Sequence, residues 1–518
     1  FEFSRMMTSY MDGNLGLDNN LIDSWSVSAA KGQKKANAGS GNILVVTHDA
    51  DARIEGGANI NQDMSFRTGN QSVDVVASSV NHTINLAGNL EMPGFRSQTG
   101  GSNEGSEQFK TPPSLVGPSF TGGKDTGQSV GATLVGHYYG NNVTAKIGDN
   151  VNLYADGLDV KGDNDVLIVT IAASGGRAKD TAFNGVLVLN FIENNTLAQI
   201  ENLANIIVGG DVTVKATDTS TPIIIGGGLA VSERDGVGAS IVLNHVDRTT
   251  EALIGNHAGN NGSAGGLLSA DGDVLITAEN DGFIGAFAVA GAVASNKDSD
   301  DSSGSGDGSG GSDSSSDSDS SSESSSENSS GGLSGSVPES GGKTRATTAR
   351  SLGVGVAVNV VADTVKAYIN NADVSADGEI RLDASFHPTV EAFSVGGSYA
   401  SGNKDSQAVS GAVSINLIDS KVKAFIEDSS VTSTTSDIIL VADDQSGVYA
   451  QAGAVAITWM SDADDSARSA SIGASLVINS IGQGDGHHVE AFIDGSDGTA
   501  SGELRIRYGD LEQLDDLC

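Results

Sequence analysis

The sequence predicts an all-β chain wound as a right-handed parallel β-helix, and three observations predict it. An eleven-position signature, N-x7-A-x-I, recurs at Asn190/Ala198/Ile200, Asn244/Ala252/Ile254, Asn359/Ala367/Ile369 and Asn416/Ala424/Ile426. The residues around each copy alternate with period two and are punctuated by Asp-Gly or Gly-Gly turns, a pattern of strands rather than helices. Gly at 69 residues, Pro at 7 and aromatics at 5% describe a chain of small and β-branched residues, suited to narrow cores. Self-similarity at a period of tens of residues is how a solenoid announces itself, each unit burying its apolar face on the next.

Taken in order, residues 1–124 form a degenerate start to the solenoid. Residues 42–47 and 72–77 are short β-rich runs, and residues 92–124, with Pro93, Pro112, Pro113 and Pro118, read as a Pro/Gly-rich loop. Residues 125–294 hold a first block of repeats, including a variant copy at His137/Ala145/Ile147 in which His replaces the Asn. Residues 295–350 are a Ser/Asp/Gly-rich insertion. Its stretch 296–332 has no apolar side chain, nine acids and one Lys, so it buries too little to offset its ordering entropy and is expected to be disordered. Residues 351–508 hold a second block, with a copy at Asn479/Ala491/Ile493 lengthened by Gly-Gln-Gly-Asp-Gly, and residues 509–518 form an acidic tail.

Signature Asn residues lie 54 (190 to 244), 57 (359 to 416) and 63 (416 to 479) positions apart. In the clearest copy, residues 352–361 read as a strand, Ala362, Asp363 and Thr364 as a turn, 365–369 as a second strand, and Ala376, Asp377 and Gly378 as the next turn. A hairpin folding back across Asp363 is an alternative. Stacked equivalents put the signature Asn residues (Asn190, Asn244, Asn359, Asn416, Asn479) in an inward ladder of side-chain amides. Gly353, Gly355, Gly411 and Ala412 in the same strands imply thin, closely apposed sheets. Several coils per repeat would give roughly 15 to 20 coils and a rod on the order of 100 Å.

A formal charge of −38, from 28 Lys and Arg against 66 Asp and Glu, argues against nucleic-acid partners, which need basic groups on phosphates, and against anionic membranes. It favours diffuse calcium association over a formed cation site, and no cofactor is expected. Cys518 is the sole cysteine, so no disulfide forms within the chain. No signal segment and no run of about 18 to 20 apolar residues is visible. A start at Phe1 rather than Met reads as a fragment or processed product.

The Gly-led strand ending in the signature Asn, followed by A-x-I, a Gly/Asp turn and a further strand, resembles the repeats of giant bacterial exoproteins of the filamentous haemagglutinin and leukotoxin-like filamentous adhesin type. Gly185 to Ile200, Gly238 to Ile254, Gly353 to Ile369 and Gly411 to Ile426 carry the resemblance, which extends over residues 127–508. It implies a β-helix, secretion through an outer-membrane partner, and attachment at the bacterial surface to a host or neighbouring cell, with glycans among the candidate ligands.

Two other readings compete: a β-helix carbohydrate-active enzyme, lyase or hydrolase, and a stalk without a ligand. The enzyme needs clustered carboxylates, for which Asp443, Asp444, Asp462, Asp464 and Asp465 with nearby Arg468 are the candidates, although their polar settings suit solvated loop acids better. His487, His488 and Glu490 are three donors for a transition metal, one short of a four-ligand motif. Asp163-Asn164-Asp165 and Asp271-Gly272-Asp273 are oxygen-rich but fit no EF-hand loop.

Overall fold

The computed structural model describes residues 21–88, 90–91, 117–118, 121–123, 126–202, 204–257, 266–295, 348–402, 405–460, 467–482 and 487–509. Its strands form three sheets of parallel strands, called here front, end and back, beside one short antiparallel pair at Leu90–Glu91 and Gly117–Pro118. One circuit of the chain visits each sheet once. Thr181–Ile200 lies in the front sheet, Asn205–Val208 in the end sheet and Val212–Ser232 in the back sheet, after which Asp235–Gly255 re-enters the front sheet on the next rung. This is the parallel β-helix that the repeat predicts.

Each repeat is a single coil. Asn190 is the direct neighbour of Asn244, which neighbours Asn359, then Asn416, then Asn479. The end sheet has seven strands, one per rung, so the stack rises about 34 Å at ~4.8 Å per rung. A 20-residue strand such as Thr181–Ile200 runs about 66 Å. The rod of many coils is therefore corrected to a slab broader than it is tall, because each repeat is used up by two long strands and one short one.

The turn expected at Ala362, Asp363 and Thr364 is also corrected. Thr348–Asn370 is one strand of 23 residues, paired in parallel throughout, which removes the hairpin alternative. Parity explains it: Asn359, Asp363, Ala367 and Ile369 are separated by even numbers and all face inward. A break at this level does occur in later rungs, between Asp405–Ile418 and Lys421–Glu427 and between Arg468–Ile481 and His488–Asp494.

The sheets run without interruption across the expected block boundaries. Lys35–Ile54 pairs along its whole length with Gln128–Ile147, and Asp235–Gly255 pairs with Thr348–Asn370 across the long insertion. Residues 1–20, most of the 92–124 loop, 296–347 of the insertion and residues 510–518 of the tail lie outside the described residues.

Front and back sheets face one another across an interior that narrows away from the end sheet. At the wide base, Ile147, Leu153, Val160, Val166 and Ile206 fill the interior and are fully or almost fully buried. In the narrow blade beyond, the inward positions hold Ser129, Ala182, Gly228, Gly238, Ala290 and Ser410. There the two backbones nearly touch. A Cβ placed on Gly353 would collide with the carbonyl of Gly397, and one on Gly396 with the carbonyl of Gly411, so the ~10 Å spacing of ordinary stacked sheets is closed up. Between base and blade the back sheet kinks at Gly282, whose φ of 119° is open to glycine and strained for other residues.

Candidate functional site

The expected amide ladder is present inside the front sheet, beside this kink. The Asn190 Nδ2 donates to Asn244 Oδ1 at 3.3 Å, Asn244 to Asn359 at 3.0 Å, Asn359 to Asn416 at 2.9 Å and Asn416 to Asn479 at 3.0 Å. Three of the amides donate a second bond across to the back sheet, to the carbonyls of Gly285 (3.0 Å), Glu391 (2.8 Å) and Tyr449 (2.7 Å). The ladder thus ties rung to rung and sheet to sheet where the interior is too thin for a large apolar side chain. Below Asn190 it stops at His137, whose Nδ1 lies 3.3 Å from the Thr170 hydroxyl and whose Nε2 has no partner. Burial pushes the His137 imidazole down to about 4.

Four residues after each signature position runs a second inward column that sequence reasoning did not single out: Asn141, Asn194, Arg248 and Asp363. Arg248 is wholly buried. Its Nε and Nη2 donate to Asp363 Oδ2 at 3.0 and 2.6 Å, its backbone N–H to Asp363 Oδ1 at 3.0 Å, and its Nη1 to the Asp281 carbonyl and Asp218 Oδ1 at 2.8 and 3.3 Å. Asp218 also accepts from Asn164 (2.6 Å), Asn194 (3.0 Å) and Ser220 (2.6 Å). Burial alone would lower the guanidinium, but Asp363 and Asp218 hold it above its ordinary value. Burial, aided by Asp218, pushes the Asp363 carboxyl up against the pull of Arg248. Such a closed network, with every charge answered inside the protein, is a structural tie and offers no group to a substrate. The signal for it was in the sequence: a polar residue recurring at an even offset from the signature Asn must share its inward face.

The remaining sequence candidates are dispersed. His487 Nδ1 lies 2.9 Å from the Ser420 hydroxyl, whereas Glu490 pairs with Lys423 at 2.7 Å and His488 lies 3.7 Å from Glu490, so the three proposed donors do not converge. The Lys423 hydrogen bond holds the Glu490 carboxyl below its usual range. Among the described residues no group of three or more His, Cys, Asp or Glu could hold a metal ion. Asp443 is 5% exposed and bonded to His387 (3.2 Å) and Gln445 (2.8 Å), while Asp444 accepts from the Ser446 backbone (2.9 Å) and Ser420 (3.3 Å). Asp462, Asp464 and Asp465 lie outside the described residues; Arg468 opens an exposed strand.

Strand alternation splits Asp163-Asn164-Asp165: Asn164 is buried against Asp218 while Asp163 and Asp165 face outward. In the second oxygen-rich segment, Asp273 Oδ1 accepts from the Glu379 backbone at 2.7 Å, as Asp211 accepts from Asp273 (2.9 Å) and Asp437 from Glu503 (2.7 Å). Each turn carboxylate caps the next rung, and it fills the space a Cβ on Gly272, Gly378 or Gly502 would need.

What the molecule offers to the outside is a flat face. On the blade, the outward positions of the front sheet form columns along the helix axis. One ridge runs through Val130, Phe183, Val237, Leu352, Val409 and Ile472, and another through Leu134, Leu187, Ile241, Val356, Val413 and Leu476. Between them Gly39, Ala132, Gly185 and Ala239 floor a shallow furrow of about 480 Å³. Two further columns, through Leu189 and Phe191, complete a field of five, and no Lys, Arg, Asp or Glu stands at any of its outward positions. Phe183, Leu134 and Ile241 are 45%, 48% and 42% exposed, high values inside a sheet. The outward face of the base is charged instead, with partly buried pairs such as Lys146 with Glu201 and Lys366 with Glu251.

No family model, no curated protein and no solved structure matches the chain.

Proposed function

We propose that this chain is an attachment scaffold of the filamentous haemagglutinin and leukotoxin-like filamentous adhesin type, secreted or displayed on the outer bacterial surface, which meets a host or neighbouring cell through its broad faces. The observation that carries the reading is how the recurring polar residues are used. The Asn ladder, the Arg248 network and the turn aspartates all close on the protein itself, and what the described residues leave for a partner is extended sheet surface, which suits adhesion better than turnover of a small substrate. The resemblance of the Gly185 to Ile200 type of repeat to those exoproteins supports the same reading, as does a charge of −38, which keeps a secreted scaffold soluble.

The test is binding of the purified chain to epithelial and bacterial cells and to immobilised glycans, read by flow cytometry and surface plasmon resonance. Saturable binding is expected. A folded chain that binds none of them leaves a stalk without a ligand. Depolymerisation of an acidic polysaccharide that is lost in Asp443→Ala or Asp444→Ala would replace the adhesin by an enzyme.

A further inference from the structure

Among the described residues nothing covers the charge-free field on the front face of the blade, and we propose that it is the docking surface for a second copy of this chain, the two front sheets packing face to face. This pairing does not depend on what the scaffold attaches to.

Three observations select that occupant. The first is area. Five columns over seven rungs cover on the order of 1,000 Å² of plane, more than the about 800 Å² that each partner contributes to a stable interface. The second is relief. The ridge through Leu187 and Ile241 stands beside the furrow over Gly185 and Ala239, so the surface is complementary to itself, a ridge of one copy seating in the furrow of the other, as an isologous interface requires. Polar and charged side chains rim the field, with Gln128, Asp235 and Arg350 on the tip side and Glu193 and Asp247 on the base side, the arrangement of an apolar patch with a wet margin. The third is the contrast with the opposite face. The outward blade positions of the back sheet are also rich in exposed apolar residues, among them Val289, Val455, Ile457 and Trp459, but they include the charged Arg177 and Glu391, whereas the front field holds no charged residue. A blade sunk in hydrocarbon would need both faces apolar and its end strands paired, whereas Lys35–Ile54 and Arg468–Ile481 are edge strands of the front sheet in this structure. The 296–332 stretch of the insertion has no apolar side chain to lay over the field.

The experiment is sedimentation velocity and light scattering of the full chain at tens of micromolar, repeated from low to high sodium chloride. A dimer of the 52.3 kDa chain is expected, tightening as salt screens the repulsion between two copies of charge −38. Leu187→Lys and Ile241→Lys, each placing an ammonium in the paired face, should weaken pairing about a hundredfold with an unchanged β-sheet circular dichroism spectrum. Val289→Lys, at a 43% exposed position on the back face, should leave pairing intact. A wild-type chain that stays monomeric across the salt range overturns the proposal without recourse to any variant. So does a dimer lost in Val289→Lys and kept in the front-face variants, or a monomer that instead partitions onto phosphatidylcholine vesicles.

Discussion

At the base of the slab, Val212 and Val214 point between the sheets while Thr213 and Lys215 point out; further along the same strand Gly228 and Ala230 point between the sheets while Leu229 and Val231 point out. The strand is continuous, so local propensity does not distinguish the two regions. The gap does. Where the end sheet holds front and back sheets apart, a layer of branched side chains fits inside and the hydrophobic effect places it there. Where the sheets close until a Cβ on Gly353 would meet the Gly397 carbonyl, hydrogen bonds and backbone contact take over inside and the large apolar side chains are left outside. A chain can satisfy its interior and still leave a field of Leu, Ile, Val and Phe in need of a cover.

The largest effect is expected at the junction of the two regions. Arg248→Met removes the cation that pairs with both buried carboxylates, Asp218 and Asp363, and breaking such a network from one side costs about 3 to 5 kcal/mol. Chemical denaturation measures it. If the cost is electrostatic, adding Asp218→Asn and Asp363→Asn to Arg248→Met restores most of the loss; if the triple variant is as unstable as the single one, the guanidinium acts through packing instead.

The contrast between base and blade is sharpened by changing volume in each. Ile206→Ala empties part of the base and should cost about 2 to 5 kcal/mol, as cavities do. Gly353→Ala adds one methyl to the blade and should cost about 1 to 3 kcal/mol, because the obstacle is backbone and cannot rotate away. A blade that accepted the alanine at no cost would mean that its sheets part easily. The Asn ladder holds them from within. Asn359→Ala removes two donated bonds and takes the acceptor from one of the two bonds that the Asn244 amide donates, a loss of about 2 to 4 kcal/mol. Asn190→Ala, at the ladder's end, where Oδ1 is already unpartnered, should cost less.

Much of this was legible in the sequence. The period, the strands, the Asn ladder and the thin blade follow from N-x7-A-x-I and from glycines in phase with the Asn. What escaped was the use of parity. Asn359 faces inward, so Gly353, Gly355 and Ala357, at even offsets, face inward too, and Leu352, Val354, Val356 and Val358 must face out. The ordinary expectation that large apolar residues go inside hides this. The same parity carries the strand straight through Asp363, a residue that composition alone assigns to a turn. The number of coils per repeat was not legible, because 54 residues divide as well into several short coils as into one wide one; the choice rests on pairing between positions 54 apart, and one sequence does not display pairing. The Arg248 network needs that register as well, since its members come from six strands.

An effect that is absent at neutral pH and grows only in acid tests the ladder's lower end, where His137 occupies the Asn position. Its folded-state value of about 4 lies below the ordinary 6.5 because the imidazolium would be buried. The unfolded chain therefore takes up a proton at this site between pH 6.5 and 4 while the folded chain does not. The stability contributed by neutral His137 is present above pH 6.5 and is lost as the pH falls toward 4, up to about 3 kcal/mol. His137→Asn installs the residue of the other rungs, with an amide that can donate to the unpartnered Asn190 Oδ1, and it removes the titration. The melting temperature of the variant should fall less than that of the wild type between pH 7 and pH 4.5, whatever the two proteins share from their carboxylates. Equal falls would show that His137 is protonated in the fold at little cost, and that the boundary between base and blade admits water at this rung.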